Sequence, residues 1–277
     1  PWGDWYLFMF HDRGALGRLP MIMPVHFDAD GYPVIGESGK VPESVSIEST
    51  RPDYEYSPLN GDDDFIYQPD KKGRVYLKPF WQFNHNPIDA LWSVTERPGA
   101  LRIYTGELCD SPVLAHNVLT QRCSGPESAA WVTIDGSEMK DGDYAGISAW
   151  IGCYGAIALT KEKGKHYLVM YGKPAQDETL HADKDFLEPP VEYERIAIDS
   201  SCVTLKVHVD FENKKDEADF AYEEHGNWKA LGICQKLYFK LDHFTGCRFG
   251  LFMYAAKQSG GHADFMKFRY QIGRDHD

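Results

Sequence analysis

The chain has 277 residues, 43% apolar and 26% charged, enough for one large domain or one and a half around a real hydrophobic core. Its formal net charge of -13 argues against a nucleic-acid partner, which would need clustered Lys and Arg to neutralise phosphates. No apolar run approaches the roughly 20 residues needed to span a bilayer, and the sequence assigns no cellular compartment. Aromatic residues at 14% suit an all-β core and also suit a sugar-binding surface. Cys109, Cys123, Cys153, Cys202, Cys234 and Cys247 fall in no CxxC pair and at no zinc-ligand spacing, so they read as reduced, buried thiols.

In chain order, WYLFMF at 5–10 is as apolar as a core strand, and a core strand needs neighbours on both sides. The expectation is a C-terminal part of a longer polypeptide, or one chain of a nicked or split protein. Residues 11–18 read as a loop, with Gly14 and Gly17 allowing close backbone approach. A second strand at 19–27 is interrupted by Pro20 and Pro24, and 28–31 is a hairpin-type turn into a third strand at 32–35. Residues 1–42 therefore look like one propeller blade or part of a sandwich. Residues 43–61, rich in Pro, Ser, Glu and Tyr without periodicity, form a linker.

From residue 62 to 272 short strands recur. They are predicted at 91–94, 101–105, 128–134, 144–151, 155–160, 167–171, 191–198, 203–211, 218–222, 249–254 and 263–270. Gly, Asp and Asn fill the turns and helical periodicity is nearly absent, which indicates a two-sheet β-sandwich. The stretch 80–99 reads as its first paired strands, placing Trp81 and Trp92 in or near the core rather than on a sugar platform. Acidic pairs such as Asp62-Asp63 and Glu223-Glu224 read as solvated turns, not as an acid/base pair.

FHDRGALGRLP at 10–20, Pro24-Val25, DGYPV at 30–34 and GKVP at 39–42 resemble the last blade of the five-bladed propeller of glycoside hydrolase family 43, which includes β-xylosidases and α-L-arabinofuranosidases. His11 stands where that pattern more often has Gln or Arg. Trp81, NHNP at 84–87, LWS at 91–93, TERPG at 95–99 and LTQR at 119–122 resemble the family's C-terminal concanavalin-like sandwich. So do MKDGDYAG at 139–146, HFTG at 243–246, Gly260-Gly261 and Asp264-Phe265. The resemblance implies an all-β chain, a partial propeller blade followed by a concanavalin-like jelly roll. It also implies an inverting hydrolase in which an acid protonates the leaving oxygen while a carboxylate activates water. In that family the catalytic carboxylates lie on earlier blades, so none is carried over to this chain. The implied partners are an oligosaccharide substrate and the N-terminal propeller portion, on the same or a separate chain.

Four residues are candidates for substrate contact. Arg18 resembles the family's substrate-facing arginine, whose guanidinium can donate a fork of hydrogen bonds to sugar hydroxyls. The resemblance suggests that Phe244, with His243, pushes an aromatic ring toward the active-site mouth; packing beneath Phe249 and Phe252 is the alternative. His11 lies beside the Arg18 loop and is of a residue type that titrates near neutral pH. Asp63, Asp64 and Asp264 are candidate oxygen donors for calcium. The competing function is a free-standing carbohydrate-binding module, supported by the aromatic-rich sandwich.

Overall fold

The computed structural model describes residues 4–37, 39–173, 189–237 and 245–273. Strands β1 (Trp5–Asp12), β2 (Arg18–Phe27) and β3 (Pro33–Ile35) form a three-stranded antiparallel sheet in that order. The register pairs Trp5 with Val25 at one end and Asp12 with Arg18 at the other. The loop expected at 11–18 is therefore shorter. His11 and Asp12 complete β1, Arg18 opens β2, and a single 3-10 turn at Gly14–Leu16 reverses the chain. Gly14 and Gly17 hold φ of 58° and 93°, which permits so tight a reversal. Pro20 and Pro24 do not interrupt β2. Four residues apart, they withhold their N–H on the same side of the strand, and each sits opposite a β1 residue, Phe10 or Tyr6. The turn at 28–31 forms as expected, the Asp28 carboxylate accepting the backbone N–H groups of Asp30 and Tyr32.

The rest of the chain contributes β4 (Gln82–Phe83), β5 (Trp92–Ser93), β6 (Leu101–Tyr104), β7 (Leu119–Arg122) and β8 (Glu127–Asp135). β9 (Asp143–Trp150), β10 (Tyr154–Glu162), β11 (Lys165–Lys173) and β12 (Val191–Ile198) follow. β13 (Cys202–Asp210), β14 (Glu217–Glu224), β15 (Asn227–Ala230), β16 (Gln235–Lys236), β17 (Arg248–Ala255) and β18 (His262–Ile272) complete it. They build a two-sheet sandwich. A seven-stranded sheet runs β12-β11-β10-β9-β17-β7-β4; an eight-stranded one runs β15-β14-β13-β8-β18-β6-β5, with β16 pairing β14.

Alternation places the core between the sheets. Val203, Leu205, Val207 and Val209 of β13 point inward with Val132 and Ile134 of β8, and meet Ile147, Ile157, Leu159 and Leu251 of the facing sheet. The middle strands of the seven-stranded sheet, β10, β9 and β17, are buried on both faces. Trp150, Tyr154, Tyr171, Phe252 and Tyr254 form a second cluster on its outer side, which is why all eight residues of β17 are buried. Trp81 is buried, its ring 4.9 Å from that of Phe268, while Trp92 is half-buried against Phe83. Both therefore belong to the core region, as expected. The cysteines are free thiols, but Cys202 and Cys234 are exposed, contrary to the expectation that all are buried.

The three-stranded sheet docks on the sandwich through backbone. A Cβ at Gly17 would come within 2.6 Å of the Gly246 Cα, and the Cys247 N–H donates to the Ala15 carbonyl at 2.8 Å. Ala15 is fully buried. After the connecting segment, the Gln121 side-chain amide pairs with both backbone groups of Gly61 at 3.0 Å, imitating a strand pairing.

Candidate functional site

Where the turn at 13–17 meets the sandwich, a groove of about 950 Å³ opens. Its lining includes Arg13, Arg18 and Leu19 from the first sheet, Asn60 from the connection, and Arg122, Phe211, Glu212 and Thr245 from the sandwich. Three guanidinium-bearing residues and one carboxylate, Glu212, make the described lining net positive. Such a wall offers many N–H donors and suits a ligand rich in acceptor oxygens.

Arg18 sits at the first position of β2. Its Nε donates to Asp12 Oδ1 at 3.0 Å, across the register pair that joins them, and its guanidinium lies 4.8 Å from the Phe10 ring centre. The ion pair and the ring fix the direction in which the fork points. His11 is exposed on β1 opposite Leu19 and is not part of the described groove lining. His243 and Phe244 lie outside the described residues. Thr245, which follows them, lines the groove. Cys123 and Cys247 line it together, the Cys123 N–H donating to the Cys247 carbonyl at 3.1 Å. Burial, then the contact with Cys247, pushes the Cys123 thiol well above its ordinary pKa, which keeps it protonated and unreactive.

The three aspartates expected as calcium ligands do not converge. Asp63 is only 2% exposed rather than solvated. Its Oδ1 accepts the Phe65 N–H at 2.9 Å, and its Oδ2 accepts the Trp81 indole N–H at 2.8 Å and the Tyr67 hydroxyl. Lys78 Nζ lies 3.3 Å away, and the Asp63 backbone pairs with Phe268 of β18. Asp64 pairs instead with Arg269 at 2.7 Å. Asp264 is clamped by Arg102, whose Nε and Nη2 donate at 2.8 and 2.9 Å, and by Arg97, which also reaches Asp135. Burial alone would raise the Asp264 pKa; the bonds from Arg102 and Arg97 outweigh it and hold the carboxyl below the ordinary range. With their oxygens committed to protein donors and cations, Asp63 and Asp264 brace the sandwich, while Asp64 is exposed. The ion network joins TERPG to Asp264, two of the stretches that carry the family resemblance.

Among the described residues, the carboxylates that do converge are Glu127, Asp210 and Glu212, whose oxygens lie within 4.8 Å of one another. Asp210 is opposite Glu127 in the β13–β8 register and is bonded by Lys215 at 2.6 Å. The sequence reading missed this trio, because only strand register brings positions 127 and 210 together.

The architecture is that of a concanavalin-like sandwich carrying a small antiparallel sheet. The family model described as "Beta xylosidase C-terminal Concanavalin A-like domain" matches residues 74–271. The chain belongs to that family, as the C-terminal portion of a glycoside hydrolase family 43 protein. A "Beta-xylosidase" of Formosa agariphila is 27% identical over 296 residues, spanning 96% of this chain and 45% of the relative. A "Non-reducing end alpha-L-arabinofuranosidase" of Bacteroides ovatus is 35% identical over 88 residues, 32% of this chain and 15% of the relative. The solved structure of a bifunctional GH43-CE protein from Bacteroides eggerthii superposes with a TM-score of 0.82 at 38% identity, covering 99% of this chain and 33% of that one. The chain thus spans less than half the length of these relatives.

Proposed function

We propose that the chain is the C-terminal part of an inverting glycosidase acting on xylan-derived oligosaccharides, as a β-xylosidase, an α-L-arabinofuranosidase or both. In this reading the three-stranded sheet is the last blade of a propeller whose remaining blades carry the acid and base. The observation that carries it is the first sheet's surface. Among the described residues β1 pairs with β2 alone, and Phe8 is 73% exposed, with Trp5 and Phe10 more than half exposed. Aromatic area of that extent on an edge strand suits coverage by neighbouring blades. Arg18, oriented by Asp12 and Phe10 in the groove, then hydrogen-bonds the bound sugar. Thr245 lines the same groove from the sandwich side. The same dependence gives the N-terminal propeller portion as partner.

Purified chain is assayed on aryl β-xylosides and aryl α-L-arabinofuranosides, alone and combined with the N-terminal portion. Turnover is expected only in the combination, with kcat/KM lowered at least about tenfold by Arg18→Ala, the loss of one charge-assisted fork. Robust turnover by the chain alone, or an Arg18→Ala enzyme as active as its parent, would overturn the reading.

A further inference from the structure

The outward face of the eight-stranded sheet is not used by the groove. Since Val203, Leu205, Val207 and Val209 point into the core, Thr204, Lys206 and His208 of β13 point out. Register then fixes two neighbouring rows on that face. One runs Trp131, Lys206, Ala221, Ala230 across β8, β13, β14 and β15. The next runs Gln271, Ala129, His208, Asp219 across β18, β8, β13 and β14. Trp228, opposite Glu223 on β15, shares the face and reaches over the small Ala221. Its ring centre is 6.2 Å from that of Trp131 at an interplanar angle of 68°, and Lys206 Nζ lies 5.5 and 5.1 Å from the two rings.

The aromatic pair opens beside a shallow cavity of about 450 Å³, whose lining includes Ala129, Lys206, His208, Asp219 and Gln271. We propose that this face is a second carbohydrate-binding site, apart from the groove, that takes a neutral β-linked xylo-oligosaccharide. Trp228, 40% exposed on its edge strand, offers apolar indole area to the C–H face of a sugar ring, with the half-buried Trp131 and the Lys206 stem beside it. The cavity beside them mixes donors and acceptors: Lys206 and Lys215 face Asp210, Glu217 and Asp219. A hydroxyl both donates and accepts, so a polyol can use such a set, whereas an anion or a cation would meet its own sign. A nucleic-acid strand, which also stacks on aromatics, would need an excess of positive charge that this face lacks. The alanines at 129, 221 and 230 keep the floor low enough for a chain to lie across the strands. The choice of xylose rests on the proposed function; the site itself does not.

The full chain is titrated calorimetrically with xylohexaose, beside Trp228→Ala, Trp228→Phe, Trp131→Ala and Arg18→Ala variants whose folding is checked by circular dichroism. Saturable binding is expected. It should weaken about tenfold or more in either Trp→Ala variant, persist within about threefold in Trp228→Phe, and be unchanged in Arg18→Ala. No saturation at millimolar sugar overturns the proposal, as does binding lost in Arg18→Ala but kept in both Trp→Ala variants. That last outcome would locate the sugar in the groove and leave the proposed function standing. Hydrolysis that fails to reconstitute while Trp-dependent binding persists would overturn the proposed function and leave this site standing.

Discussion

Asp63→Asn changes one atom type and no shape, yet it should unfold much of the sandwich's margin. The carboxylate faces donors on both sides. Oδ1 takes the Phe65 N–H, with the Lys78 ammonium nearby, while Oδ2 takes the Trp81 indole N–H and the Tyr67 hydroxyl. An amide has one acceptor oxygen, so whichever way it turns, its NH2 meets groups that also donate. Burial and the Asp63 bond raise the Tyr67 pKa, so its hydroxyl stays protonated and needs an acceptor. Breaking a buried, multiply bonded charge costs roughly 3–5 kcal/mol. At about 2–4 °C per kcal/mol for a domain of this size, Tm should fall by roughly 6–20 °C.

Differential scanning calorimetry of wild type, Asp63→Asn and Lys78→Ala checks this. Lys78 is 44% exposed, and its variant should lose at most about 1 kcal/mol. If the carboxylate's role were calcium ligation, a chelator would lower the wild-type Tm toward that of Asp63→Asn. The expected result is that chelator and calcium leave the difference between the two unchanged. A fall of less than about 2 °C in Asp63→Asn would refute the accounting.

Three further outcomes follow from the same geometry. Asp264→Asn should destabilise by about 3–5 kcal/mol at neutral pH. Because the native pKa of Asp264 is lowered, its contribution is present above the unfolded value near 4 and lost as pH falls through the native one, so chemical unfolding of wild type and variant should converge in acid. Asp143 has the opposite sign: it is fully buried, Oδ1 has no partner, and burial raises its pKa to about 6. The native state therefore holds an extra proton between about pH 4 and 6, stability falls as pH rises through that window, and Asp143→Asn should gain on wild type by up to roughly 3 kcal/mol by pH 7. A pH-independent difference would contradict this. Gly246→Ala should loosen the first sheet, since Gly246 has φ of 72° and an added Cβ would strike the Leu16 carbonyl oxygen. A loss of about 2 kcal/mol and faster proteolysis between residues 18 and 60 are expected; unaltered cleavage kinetics would count against it.

Strands with one wet face were legible because their alternation survives in sequence. Residues 191–198 were expected as a strand and form β12, and β13 shows inward valines and leucine between outward polar residues. The hairpin of the first sheet was less legible. Asp12 and Arg18 look like loop residues beside glycines, but pairing and an ion pair draw them into the strands. The three consecutive aspartates at 62–64 look like a solvated turn, and two of them are exposed. Burial of the middle one depends on Trp81 and Phe268, 18 and 205 positions later, so no local pattern could reveal it. Arg18 is a candidate through a motif rather than through chemistry, and the structure adds what orients it.

The tryptophans carry the last step. Sequence alone places Trp81 and Trp92 in or near the core and leaves the other five of seven indoles unassigned to a particular surface. Packing and strand register separate them: Trp81 and Trp150 are buried, while Trp131 and Trp228, 97 positions apart, meet on one outward face beside polar side chains. An edge strand that exposes an indole stores unfavourable apolar area, tolerable where a ligand or partner covers it. A hydrolase portion without such a surface would hold substrate only at its pocket. One that keeps it can grip a chain away from the bond being cleaved and raise the local supply of chain ends by linkage of two weak contacts. In an assembled enzyme, Trp228→Ala should therefore raise KM on polymeric xylan while leaving kcat on an aryl xyloside unchanged. Equal effects on both substrates would place the tryptophan's role in folding rather than in binding.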